Sequence, residues 1–275
     1  PELMENQVIF EGDRLEPGFS YVPGQWGTIW LTAGSTNHEF NYTTIKNSIV
    51  GILMDNNDGD RTLTLKNVQI FNTSSTGLLA RNGDVYGENV IINNSGQTSL
   101  SCSLGGRYNF IQSTFANYWT NNFRLFPSVL IDNVLQVSDT EFVTEDLIEA
   151  NFINCIIYGN EARELIFVED ESAAFNFNFV NSLIRFDDPS GNYSDDPNYD
   201  FSNENLYVDI VRNQDPAFFK TNLNDFNIES EVSGADGIAD PAGAALVPFD
   251  ANGISRIVPF PDAGAYQSIV FPDEG

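Results

Sequence analysis

Short apolar strands return along this chain at a nearly fixed step, and most are led by an asparagine. The series runs Lys46-Asn47-Ser48-Ile49, Lys66-Asn67-Val68, Glu88-Asn89-Val90, Asp132-Asn133-Val134, Ile153-Asn154-Cys155 and Val180-Asn181-Ser182, with Gln112-Ser113-Thr114-Phe115 between them and Ser113 in the asparagine place. The steps run from 20 residues (Asn47 to Asn67) to 27 (Asn154 to Asn181). A repeat of this length marks a solenoid, in which one coil alone cannot bury its apolar face. Leucine-rich repeats share the period, but their Leu-x-x-Leu-x-Leu skeleton is absent. The strands are β-branched and aromatic, and Asn, Gly, Ser and Thr fill the connections, which are strand and turn signals. The pattern predicts an all-β fold: a right-handed parallel β-helix solenoid with an irregular C-terminal cap.

The asparagines have a physical reason. Asn tolerates the left-handed backbone of a sharp corner, and its amide can bond the coil above or below. A structural ladder is expected, not a binding site. Gly51-Ile52-Leu53-Met54 and Gly77-Leu78-Leu79-Ala80 read as strands after a second, glycine corner. Phe175-Asn176-Phe177-Asn178-Phe179 alternates strictly, so one set points inward. The 22 phenylalanines suit stacked rows in such a core. Coils are expected over 1–185. From 186 to 275 the chain should hold an acidic loop (Asp187, Asp188, Asp195, Asp196), the last coils and the cap, all in one domain.

A formal charge of −27, from 12 Lys+Arg against 39 Asp+Glu, sets nucleic acid and anionic membrane faces aside, because both recruit cations. Two cysteines, Cys102 and Cys155, lie in apolar strands and read as buried thiols, not a disulfide framework. No run of about 18 apolar residues spans a membrane. The abrupt opening at Pro1 suggests a piece of a longer precursor.

Two stretches carry a resemblance. Pro23-Gly24-Gln25-Trp26-Gly27-Thr28-Ile29-Trp30-Leu31, followed by the Asn47 and Gly51 coil, resembles the β-helix lipoproteins of Bacteroidetes. Asp250-Ala251-Asn252-Gly253-Ile254-Ser255-Arg256 with Pro261-Asp262-Ala263-Gly264-Ala265-Tyr266-Gln267 is similar to the end motif of the same pectate-lyase-like solenoids. The family form has Ile at the place of Ala263 and Glu at that of Gln267. The resemblance implies a surface-exposed protein of the cell outer membrane, held by an N-terminal lipid anchor absent from this segment. It leaves chemistry open, since fold does not settle function.

The expected protein is at the cell surface or secreted, and its expected job is non-catalytic: binding a glycan, or associating with outer-membrane partner proteins. Trp26 and Trp30, and the pair Tyr118-Trp119, are the candidate ligand or partner contacts. The alternative is a polysaccharide lyase or glycoside hydrolase. A lyase of this fold would use clustered acids with Ca²⁺ and an Arg or Lys base, and Arg81 and Arg107 are candidates on neighbouring coils, although surface ion pairs explain such arginines as well. A hydrolase would need acids apart on adjacent coils. The single His38 has no Gly-x-Ser-x-Gly elbow to serve. Asp55, Asp58 and Asp60, on the tight turn Asp55-Asn56-Asn57-Asp58-Gly59-Asp60, form a candidate Ca²⁺ loop without the closing Glu of an EF-hand. Threonines do not recur at the coil period, so no ice-binding face is expected.

Overall fold

Asparagine turns the corners. In the computed structural model, which describes residues 7–55 and 61–272, Asn67, Asn89, Asn154 and Asn181 all take left-handed backbone, with φ between 46° and 56°. That conformation costs an ordinary L-residue roughly 1–2 kcal/mol, and Asn least among the side-chain-bearing residues. One such residue bends the chain so sharply that the strands on either side lie on different faces. The result is a parallel β-solenoid of about seven turns.

Each full coil lays a strand on each of three faces. Face A stacks Ile29–Leu31, Ile52–Met54, 78–80, 100–102, Val129–Asp132 and Leu165–Val168. Face B stacks 38–41, 63–66, 85–88, 107–111, 149–153, Asn178–Val180 and Tyr207–Val208. Face C stacks Val8–Phe10, 43–46, 68–71, 90–92, Thr114–Asn117, Ile156–Gly159, Leu183–Ile184 and Val211–Arg212. All these pairings are parallel. A hairpin, Val134–Ser138 with Glu141–Thr144, projects between faces A and B.

The single ladder expected from the sequence resolves into two. Asn67 and Asn89 share the B-to-C corner, where Asn89 Nδ2 donates to Asn67 Oδ1 at 2.9 Å. Asn47 stands at the C-to-A corner with Asn72 and Asn94, and donations of 3.3 and 2.5 Å link these three. Asn133 ends a face-A strand and donates to the carbonyl of Asp170. Gln112, not Ser113, takes the left-handed corner in this series, with φ at 52°, but its amide makes no ladder bond. The 20–27-residue step alone does not separate corners of one coil from those of the next.

Inward residues repeat coil after coil. Ile52, Leu78, Leu100, Val129 and Leu165 form one fully buried row on face A, each worth about 1.5–3 kcal/mol of apolar burial. On face B, Phe110, Phe152, Phe179 and Tyr207 stack along the axis with ring centroids 5.6, 4.8 and 5.7 Å apart. The acidic stretch 186–206 closes the open end of this column. Its acids Asp187 and Asp195 face solvent, while Phe186 stacks on Tyr199 at 4.7 Å and Phe201 meets Tyr207 at 4.6 Å. The Tyr199 hydroxyl accepts the Phe167 N–H at 2.8 Å, so a side chain replaces the missing next strand.

The irregular C-terminal part runs back along face C as a strap. Ile228, Ala235, Ala239 and Ala263 pack on Ile156, Tyr158 and Leu183. Phe226, Ala251, Ala265 and Tyr266 pack on Ile91 and Ala116. The corner asparagines clasp it: Asn154 Nδ2 donates to the Asp240 carbonyl, Asn181 Nδ2 to that of Ile238 and Asn89 Nδ2 to that of Phe249. The motif Asp250…Arg256…Asp262 is its buckle. Asp250 accepts the N–H groups of Asn252, Ile254 and Gln267. Asp262 accepts those of Gly237 and Ser268. Gly264, at φ 93°, lies where a Cβ would fall 2.6 Å from Ile156 Cδ1.

Candidate functional site

The three outer faces differ in chemistry. Face C is covered by the strap from the coil of Gln69 to that of Val211. Face B is polar, and its outward groups pair with one another. Tyr86 donates to Glu88 at 2.6 Å, and Asn151 to Asn109 at 2.8 Å. Arg107 lies between Glu149, at 3.1 Å, and Asp84, at 3.7 Å. Burial pushes the Asp84 carboxyl above its usual value against the pull of Arg61 and Arg107. Burial pushes Glu149 the same way, but hydrogen bonds from Asn109, Arg107 and Asn151 outweigh it and hold that carboxyl low.

Face A is largely apolar, with Leu53, Leu79, Leu130 and Ile166 half-buried in it. Register places Trp30, Leu53, Leu79, Ser101, Leu130 and Ile166 side by side in one outward row. Five strand spacings of about 4.8 Å carry that row over roughly 24 Å. Only Ser101 interrupts it. Trp30 is 59% exposed. At the far end the row enters a groove of about 360 Å³ lined by Leu125, Phe126, Pro127, Leu130, Ile166, Val168 and Tyr193, with Glu161 and Arg163 as charged lining.

The loop beside this groove is held from beneath by a buried ion pair. Arg124 and Glu164 are bidentate, at 2.6 and 2.8 Å, and their side chains are 1% and 0% exposed. Arg124 also donates to the carbonyls of Phe126 and Asn117 and to Asn160 Oδ1. Glu164 accepts the N–H groups of Ser128 and Glu161. Burial pushes the Glu164 carboxyl up, and Arg124 opposes the shift. Above this anchor, Phe123 is 96% and Leu125 89% exposed.

The sequence candidates do not form one platform. Trp30 stands on face A and donates from Nε1 to Asp55 Oδ2 at 2.7 Å. Trp26 is half-buried at a turn, bonded to the Lys46 carbonyl. Trp119 is buried and donates to Asn122. Tyr118 lies under the strap against Phe218 and Phe226. Asp55 spends one oxygen on Trp30 and the other on Arg81, at 3.2 Å. Asp58 and Asp60 lie outside the described residues. Among the described residues, no three His, Cys, Asp or Glu side chains gather as a metal cluster would require. Arg81 and Arg107 reach different faces, and each meets acids of its own.

The groove itself was missed from sequence. Its signal was the apolar run Phe123-Arg124-Leu125-Phe126-Pro127 inside a Thr- and Asn-rich loop. No family model, curated protein or solved structure matches the chain. Its class, a parallel β-helix, rests on the coils themselves.

Proposed function

We propose that this β-helix is a non-catalytic docking module that associates with a partner protein along face A. The observation that carries the reading is the outward row Trp30, Leu53, Leu79, Leu130 and Ile166, with Trp30 exposed and the rest half-buried, on a chain whose face C carries its own strap. Extended apolar patches on soluble surfaces mark interaction sites. The groove, mostly apolar with Phe126 and Tyr193 among its lining, gives a protein side chain a surface to bury against. With the resemblance to Bacteroidetes surface lipoproteins, the proposed setting is the outer face of the outer membrane, with an outer-membrane protein as partner. The test is purification from the source membrane in mild detergent, followed by mass spectrometry. A stoichiometric partner that is lost in Leu79→Asp supports the reading. A protein that runs alone, or a partner indifferent to Leu79→Asp, sinks it.

One observation favours the second reading, a polysaccharide-cleaving enzyme. Asp84 and Glu149 flank Arg107 on face B and are pushed in opposite directions, a pattern that separates acid from base in active sites. Incubation with acidic and neutral polysaccharides, with and without Ca²⁺, tests it. New reducing ends or unsaturated products, abolished by Asp84→Asn, would establish the enzyme.

A further inference from the structure

We infer that the groove at Leu125, Phe126, Leu130 and Ile166 is a socket for one bulky apolar side chain of the partner protein, on a segment where that side chain is flanked by Lys or Arg. The inference rests on the docking reading of face A and names where on that face the binding is concentrated.

The first support is rigidity. An exposed apolar loop loses its burial on binding if it must first be ordered. Here the ordering is done in advance. Arg124 and Glu164, both buried, tie 117–128 to 160–164 through a bidentate pair, an Arg124 donation to Asn160 and a Ser128 N–H donation to Glu164, while three further bonds fix Phe126, Asn117 and Glu161 within those two segments. Two charges taken out of water are a poor way to gain stability alone. They make sense as a fixed mount for Phe123 and Leu125, which project into solvent directly on either side of Arg124.

The second support is shape. About 360 Å³ beside this mount admits a large side chain and not a domain. A buried anchor in a pocket ringed by weaker contacts is how protein interfaces concentrate affinity. The remaining row toward Trp30 supplies the weaker contacts.

The third support is charge. Glu161 lines the groove. Exposed Asp187 donates its N–H to the Ala162 carbonyl beside it, and exposed Glu169 follows Val168. Arg163, which also lines the groove, is paired with Asp188 at 3.7 Å and lies over the Tyr193 ring. With −27 on the whole chain, the complementary segment is basic.

The test uses photo-crosslinking in cells that make the protein. The benzophenone amino acid p-benzoylphenylalanine is placed singly at Leu125, at Leu53 on the same face and at Asn151 on face B. The expected result is an adduct from Leu125, mapping to a partner peptide with an aromatic or branched apolar residue and Lys or Arg within a few positions. The same probe at Phe123 should lose at least tenfold of its adduct when Leu125→Asp is added. An adduct from Leu53 without one from Leu125, or a Leu125 adduct to an acidic or wholly polar peptide, overturns the socket and leaves face A as a docking surface. No adduct from either face-A position, or adducts from Asn151 alone, overturns both.

Discussion

Arg256 and Asn89 stand 167 residues apart in the chain and meet at 2.7 Å, Nη2 to Oδ1. The buried guanidinium also donates to the carbonyls of Val247, Gly264 and Ala265, so one side chain joins a coil corner to both arms of the strap. Burial pulls its pKa down to about 10, against the carboxylates of Asp250 and Asp262. Arg256→Ala leaves these acceptors unpaired inside. The expected loss is about 3 kcal/mol, read as a lower urea midpoint, with hydrogen exchange rising first over 235–267. Unchanged exchange there would contradict the buckle role.

Arg124→Met strands the Glu164 charge in the interior and is expected to lower stability by about 3–5 kcal/mol. Arg124→Met with Glu164→Leu should recover only the part due to the stranded charge, because the N–H groups of Ser128 and Glu161 then lose their acceptor. A double-mutant cycle in urea measures the coupling. Additive losses would mean that the two side chains act independently.

Asp132 gives a pH signature. Burial pushes its carboxyl up to about 6, against donations from the Leu104 N–H and the Ser103 hydroxyl. The unfolded group titrates near 3.8. Between those values the folded state holds a proton that the unfolded state has released. This group therefore favours folding at pH 4 and loses that advantage as pH rises toward 6, by at most about 3 kcal/mol. Above pH 6 its contribution is flat. The stability difference between wild type and Asp132→Asn, measured from pH 4 to 7, should trace this slope. A difference constant over that range would show that Asp132 does not titrate as described.

Gln112 occupies a corner that Asn fills in other coils. Its φ is 52°, and both amide atoms are buried without a partner. Gln112→Asn is expected to stabilise the fold by about 1 kcal/mol, seen as a higher melting temperature. A destabilised variant would show that the longer side chain fills space the corner needs.

The coils were legible because their rule is local. A strand, a residue that accepts left-handed backbone and another strand repeat within one window of sequence, and the inward alternation of Phe175, Phe177 and Phe179 followed directly. The strap was legible only as an irregular tail. Its motif from Asp250 to Gln267 stood out, but its partners Asn89, Thr114 and Asn154 lie far upstream. Face A was hidden for a related reason. Trp30, Leu53, Leu79, Leu130 and Ile166 each sit in an ordinary apolar strand, and only the register between coils shows that they point outward together. Tyr118 and Trp119 are adjacent, yet one is covered by the strap and the other sits in its own loop.

The strap changes how such a molecule comes apart. A simple solenoid is held by nearest neighbours and can fray coil by coil from either end. Here a segment leaving the last coil is fastened to the corners at Asn181, Asn154 and Asn89, and Tyr266 takes a hydrogen bond from Gln69 at 2.9 Å. Those fixings are spaced by the rise of the coils, so adding or deleting one coil would put every later fixing out of step. The tail works as a tie-rod: it fixes the length of the stack between Gln69 and Asn181 and makes those coils melt together.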